Sequence, residues 1–176
     1  MDRNDRKQLL EYLKMAKGKG LNKIYLHWTA ARYDQVFSDY HACIKGDGEL
    51  YFMTDNLAEK KNHTWNRNTN AIGLSLCCAY NAQFPHNLGA FPPTATQIEV
   101  MAEVVANICK ELDIPLDASH VMTHSEAAVL DGYGPYSGDP ETRWDLYQIE
   151  DYDGVWKNGG DVLRGKASWY KEMLVV

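Results

Sequence analysis

The run Ala71-Ile72-Gly73-Leu74-Ser75-Leu76-Cys77-Cys78 carries no charge. A segment this short and this apolar reads as a central strand buried on both faces, which requires cover on each side of its sheet. Its glycine permits close approach of another group to the backbone. The segments around it supply the cover. Asp5 to Lys17 places Leu9, Leu10, Leu13 and Ala16 on one stripe and stops before Gly18 and Gly20, the pattern of a helix with a glycine stop. Asn22 to Thr29 reads as a second strand. Tyr40 to Lys45 and Glu49 to Met53 flank Gly46-Asp47-Gly48, a tight-turn signal that predicts a hairpin.

A long helix is expected after Pro92-Pro93, where Thr96 and Glu99 have capping-box spacing and Ile98, Met101, Val105, Ile108 and Leu112 recur at helical intervals. It stops at Asp113-Ile114-Pro115. Ser119 to Thr123 reads as a further strand, Ala127 to Arg143 as a long loop, and Asp161 to Met173 as a last helix interrupted by Gly165. Helix and strand alternate without a repeat or a low-complexity linker. The expected fold class is therefore α/β, a single domain with a mixed central sheet flanked by helices.

Composition narrows the function classes. A chain of 176 residues with 45% hydrophobic content supports one well-buried core and is short for two. Its 18 Lys+Arg against 24 Asp+Glu give a formal charge of −6, and no stretch is basic enough for a nucleic-acid footprint. The charged start, Met1-Asp2-Arg3-Asn4-Asp5-Arg6-Lys7, differs from an ordinary secretory signal, and no apolar run approaches the roughly 20 residues of a membrane span. The expectation is a chain made in the cytoplasm with no membrane span. Cys43, Cys77, Cys78 and Cys109 sit in apolar runs without a C-x-x-C pair and read as small core residues.

Two histidines lie near the ends of apolar runs, in Ile24-Tyr25-Leu26-His27-Trp28-Thr29 and Val121-Met122-Thr123-His124-Ser125-Glu126. Imidazoles held on rigid backbone suit a metal ion, and the acids of Gly138-Asp139-Pro140-Glu141-Thr142-Arg143-Trp144-Asp145-Leu146 offer a third ligand. Either histidine alone reads more readily as a hydrogen-bonded core residue. The pair, with an acid downstream, favours the metal.

Five blocks in order carry a family resemblance over nearly the whole chain. They are Tyr25-Leu26-His27-Trp28-Thr29-Ala30; Tyr40-His41 leading through Ile44 to Asp47-Gly48; His63-Thr64 with Asn68 before Ile72-Gly73-Leu74; the proline, threonine and glutamine opening of the long helix; and Thr123-His124-Ser125-Glu126. The sequence resembles the zinc-dependent N-acetylmuramoyl-L-alanine amidases of the phage-lysozyme and peptidoglycan-recognition-protein type. Arg143-Trp144-Asp145-Leu146 and Gly159-Gly160-Asp161-Val162-Leu163-Arg164 look most like phage and prophage lysins within it.

The resemblance implies a mixed β-sheet flanked by helices, with residues 1–176 as one catalytic domain. It implies Zn²⁺ held by His27, His124 and an acid, and peptidoglycan as the partner. Asp145 is the preferred third ligand because Arg143 stands where related phage enzymes have a lysine; Asp139, which precedes a proline, is the alternative. Tyr40 is implied as general acid or oxyanion stabiliser, with Arg143 assisting. Arg stays charged at neutral pH and so stabilises charge without shuttling a proton. His63 and Asn68, with Trp65 and Arg67, match the family's substrate-contact loop. Ser75 stands where some members carry a catalytic glutamate, which leaves the general base open, and Glu126 is expected to hold the loop behind the site. His41 is expected to be structural, and Tyr133 and Tyr136 are candidates to line a groove. The implied activity is hydrolysis of the N-acetylmuramoyl–L-alanine amide, by a lysin that reaches the wall after release. The alternatives are a cytoplasmic amidase recycling anhydro-muropeptides and a binding module that does not cleave.

Overall fold

The computed structural model describes residues 1–174. The central sheet contains β1 (Lys23–Trp28), β2 (Ala42–Ile44), β3 (Leu50–Phe52), β4 (Ala71–Leu76) and β5 (Val121–Thr123), in the order β3-β2-β4-β1-β5. β2, β4, β1 and β5 run parallel, and β3 is antiparallel to β2, so the sheet is mixed. α1 (Arg3–Ala16) precedes β1, α2 (Ala95–Glu111) crosses from β4 to β5, and α3 (His124–Asp131) continues directly from β5. A small hairpin of β6 (Gln148–Glu150) and β7 (Trp156–Asn158) leads into α4 (Gly159–Met173).

Successive strand residues point to opposite faces, and that alternation separates core from site. Ile24, Leu26 and Trp28 of β1 and Ile72, Leu74 and Leu76 of β4 join Leu9 and Leu13 of α1, Met101 and Val105 of α2, and Leu163 of α4 in the main core. Each such side chain contributes about 1.5–3 kcal/mol on burial. The other face carries a smaller cluster, Tyr25, Ala71, Met122 and Ala127, where α3 packs. His27 and Ser75 are in register on adjacent strands at the carboxyl end of this face, where parallel α/β sheets usually place their sites.

Gln97 ties α2 to the sheet. Its Oε1 accepts from the Thr94 N–H at 3.0 Å, and its Nε2 donates to the carbonyls of Ile44 and Cys77, each at 2.9 Å. A fully buried amide with its hydrogen bonds satisfied fixes the helix start against the ends of β2 and β4. The capping box is thus Thr94 with Gln97, two residues earlier than the expected Thr96 and Glu99. Both pairs have the right spacing, but the sheet carbonyls and the preceding prolines select the first.

Two elements depart from the expected pattern. The stretch after His124 opens with the helix α3, whose single capped turn pair lacks an apolar stripe long enough to give a periodic signal. The β6–β7 hairpin pairs three residues per strand and is mostly half-buried, so it shows no alternation either. Tyr40 and His41 lie just before β2 rather than within it. His41 is nonetheless buried, accepting from the Gly73 N–H at 3.0 Å through Nδ1 and donating from Nε2 to the Glu59 carbonyl at 2.7 Å. No helix among the described residues is long and apolar enough to cross a membrane.

Candidate metal centre

β1 delivers His27 fully buried, and β5 hands the chain to α3 at His124, so both imidazoles stand on regular backbone. Thr123 caps α3: its hydroxyl accepts from the Glu126 N–H at 3.1 Å while Glu126 Oε1 accepts from the Thr123 N–H at 3.0 Å. Glu126 also takes Arg164 of α4 in a two-point ion pair, at 2.8 and 2.9 Å. Glu126 therefore holds the strand-to-helix switch that aims His124, as expected of it.

Asp145 arrives from the long loop. Trp144 before it packs edge-on against Trp28, with ring centroids 4.7 Å apart, and Leu146 after it is fully buried in the main core. Leu146 has a φ of 58°, a left-handed conformation that costs a non-glycine residue about 1–2 kcal/mol and persists because its neighbours over-determine it. Gly159 makes the turn possible: a Cβ there would stand 2.0 Å from the Leu146 carbonyl oxygen. At Gly160 a Cβ would stand 2.1 Å from Glu126 Oε1. The paired glycines at the start of α4 thus let one helix end press against both the Asp145 turn and the Glu126–Arg164 pair.

The three side chains converge. His27 Nδ1 and His124 Nδ1 are 3.1 Å apart, and Asp145 Oδ2 lies 3.5 and 3.4 Å from them. Ligands about 2.0–2.2 Å from a tetrahedral zinc stand about 3.3–3.6 Å from one another, so the two edges to Asp145 match three corners of such a site and the edge between the imidazoles, at 3.1 Å, is slightly shorter. Two imidazole nitrogens and a carboxylate oxygen turned toward one point form a donor set that a cation between them would satisfy. This donor set also suits zinc by its chemistry. Among the described residues these are the His, Cys, Asp and Glu side chains that group in this way.

The electrostatics of His27 and Asp145 agree with a site that binds a cation. Burial pushes His27 down to about 4, with Asp145 opposing and the charge of His124 reinforcing. Burial pushes the Asp145 carboxyl up, but hydrogen bonds and charge from His124 and His27 outweigh it and hold the group well below the usual carboxylate range. Asp145 is ionised and His27 neutral at pH 7, the states a metal ligand needs.

Asp139 does not join the triangle. It is exposed, and its Oδ1 accepts from the Glu141 N–H at 2.7 Å in a local turn. Tyr40 does approach: its ring centroid is 5.1 Å from that of His27. Burial, and then the charge of Asp145, raises its phenol well above the usual range, so the hydroxyl keeps its proton. Arg143 lies at the pocket wall with its guanidinium on the Glu141 carbonyl oxygen at 2.6 Å.

The triangle opens into a cavity of about 1000 Å³ whose walls include Tyr40, His63, Trp65, Asn68, Tyr133 and Arg143. Tyr136 is 78% exposed and packs on Phe84 instead. Within the loop from His63 to Asn68, Asn68 Oδ1 accepts from the N–H groups of His63 and Thr64, at 3.1 and 2.8 Å. The His63 ring is seated on β4, where a Cβ at Gly73 would stand 2.4 Å from it. Burial and the nearby His27 and His41 push His63 down to about 2. Thr64, given no role from sequence, is buried with its hydroxyl 3.1 Å from His27 Nε2. The strand glycine was the one hint, since it predicts a close partner without saying which.

The family model for N-acetylmuramoyl-L-alanine amidase matches residues 17–141, a range that holds His27 and His124 and ends before Asp145. No curated protein matches. Similar solved structures include an endolysin from Thermus scotoductus bacteriophage Ph2119, at 19% identity over 62% of this chain and 75% of that one, with a TM-score of 0.46. Another is the amidase LysC from Clostridium intestinale, at 16% identity over 61% and 72%, with a TM-score of 0.44. A third is the ectodomain complex of the peptidoglycan recognition proteins LCa and LCx bound to tracheal cytotoxin, at 15% identity over 61% and 72%, with a TM-score of 0.45. With the family model covering most of the chain, this protein belongs to the N-acetylmuramoyl-L-alanine amidase family.

Proposed function

We propose that this chain hydrolyses the amide between N-acetylmuramic acid and L-alanine in peptidoglycan, using Zn²⁺ held by His27, His124 and Asp145. The convergence of two Nδ1 atoms and one carboxylate oxygen within 3.5 Å carries this reading. Bound zinc with an open position supplies Lewis acidity, which activates water near neutral pH and polarises a carbonyl. The remaining work falls to the protein. The cavity beside the triangle admits the lactyl-alanyl amide, with the loop carrying His63 and Asn68 forming one wall. Asn68 spends its carbonyl oxygen on the loop, which leaves its NH₂ group for a substrate acceptor.

Tyr40 keeps its proton and so acts as a hydrogen-bond donor from Oη to the carbonyl oxygen as negative charge develops there. Arg143 adds a permanent positive charge at the wall of the same pocket. Residues 1–176 act as one catalytic domain in this reading. The resemblance of the Arg143–Leu146 and Gly159–Arg164 segments to phage lysins supports a phage or prophage enzyme that acts on the wall after release.

Digestion of purified sacculi tests the activity. Fragments with new L-alanine amino termini and no new reducing ends are expected from the zinc-loaded protein. Cleavage of soluble anhydro-muropeptides with sacculi left intact replaces the lysin by a recycling amidase. Retention on sacculi without cleavage replaces the enzyme by a recognition module.

A further inference from the structure

We propose that Thr64 is a positioning residue for His27, and that the hydrogen bonds along His27, Thr64 and His63 run in one direction only. The inference rests on the metal reading above. Thr64 Oγ1 stands 3.1 Å from His27 Nε2 and 2.9 Å from His63 Nδ1, and all three side chains are buried. Proton counting sets the direction. A neutral imidazole carries one N–H, and a ligand at Nδ1 must present a lone pair there, so the His27 hydrogen lies on Nε2 and donates to Thr64 Oγ1. The hydroxyl has a single hydrogen of its own, which then goes to His63 Nδ1. His63 is thereby fixed as the Nε2–H tautomer.

The loop is built to hold this hydroxyl in place. Asn68 Oδ1 accepts from the backbone N–H of both His63 and Thr64, the His63 ring is wedged on Gly73, and Arg67 clamps the loop to Asp131 of α3 through bonds of 2.7 and 2.8 Å. The other imidazole has no comparable support, since His124 Nε2 is buried without a hydrogen-bond partner among the described residues. Orientation of the His27 ring therefore depends on Thr64. Without the hydroxyl, the buried Nε2–H of His27 loses its acceptor, and the tautomer with hydrogen on Nδ1, facing Asp145 Oδ2 at 3.5 Å, gains weight. That tautomer does not bind a cation at Nδ1.

The test is zinc affinity, measured by competition with a chromogenic chelator for the wild type, Thr64→Val and Thr64→Ser. Loss of an orienting bond behind a ligand weakens metal binding by about 10–100-fold, the drop expected for Thr64→Val, while Thr64→Ser stays within about threefold of wild type. Should the valine variant not fold, Thr64→Ala removes the hydroxyl without steric demand and is read in the same way. Wild-type affinity in the valine or alanine variant overturns the inference, and so does a serine variant as weak as valine, because packing rather than the hydroxyl then matters. A wild-type protein that binds no zinc removes the metal reading itself, an outcome distinct from either.

Discussion

His27 and His124, separated by 97 positions in the chain, bring their Nδ1 atoms to 3.1 Å, one near the end of β1 and the other at the first residue of α3. β1 and β5 pair at Leu26 and Thr123, so the residue that follows each pairing partner stands beside the other. The sheet, rather than a loop, sets the spacing of the two imidazoles. Asp145 is added by the turn between Trp144 and Leu146, and Tyr40 from the segment before β2.

Replacing Tyr40 by Phe removes the donor assigned to the carbonyl oxygen and leaves the triangle untouched. Loss of one such donor lowers kcat by about 10²–10³-fold. Steady-state assay on sacculi, with zinc content measured in parallel, is expected to show that loss at unchanged metal. Full activity in Tyr40→Phe removes the hydroxyl from the chemistry.

Acid should weaken the metal-free protein well before its carboxylates titrate. His27 and His63 are held near 4 and 2 in the fold and return toward 6.5 when unfolded, so the unfolded chain binds more protons below pH 6.5. Stability is therefore present above pH 6.5 and falls as pH drops, by up to about 1.4 kcal/mol per pH unit for each histidine. The depressed Asp145 acts only below the ordinary carboxylate range and does not offset this window. Urea unfolding after chelator treatment should give a free energy lower by about 2–4 kcal/mol at pH 5 than at pH 7. A flat profile between them contradicts the buried neutral histidines.

Gly73→Ala places a methyl group 2.4 Å from the His63 ring on a central strand that cannot yield. Overpacking of this kind costs about 1–3 kcal/mol. Denaturant midpoints should register it, and His63→Ala in the same chain should recover part of the loss. Independent, additive effects of the two changes would mean that the ring and the glycine are not coupled.

Glu126→Ala removes the side-chain half of the α3 capping box and leaves Arg164 with only 11% of its side chain exposed and one fewer carboxylate. The expected cost is about 2 kcal/mol, from the lost acceptor of the Thr123 N–H and the lost charged hydrogen bonds to Arg164. A double-mutant cycle with Arg164→Ala reads the coupling directly, and a coupling near zero contradicts the clamp.

Much of this arrangement was legible in the chain because its carriers are periodic. β1, β4 and α2 announce themselves through apolar runs and helical spacing, and the histidines at the ends of β1 and β5 follow from them. Asp145 and Asp139 could not be separated by that logic. The difference between them is that Trp144 and Leu146 anchor one in apolar surroundings, whereas Ser137, Gly138 and Pro140 leave the other in a solvated turn. α3 and the β6–β7 hairpin are too short to show a period. Thr64 was hidden for a different reason: in a stretch of Asn and Lys a threonine reads as solvated, and only the folded loop reveals that it lies under His27.

The most direct test is bound zinc together with release of L-alanine-terminated stem peptides from purified peptidoglycan, for the intact protein, Asp145→Ala and Asp139→Ala. The intact protein and Asp139→Ala are expected to hold about one zinc each, as a three-ligand site requires, and to cleave, while Asp145→Ala loses both. Zinc and cleavage retained in Asp145→Ala, or lost in Asp139→Ala alone, would contradict the centre formed by His27, His124 and Asp145.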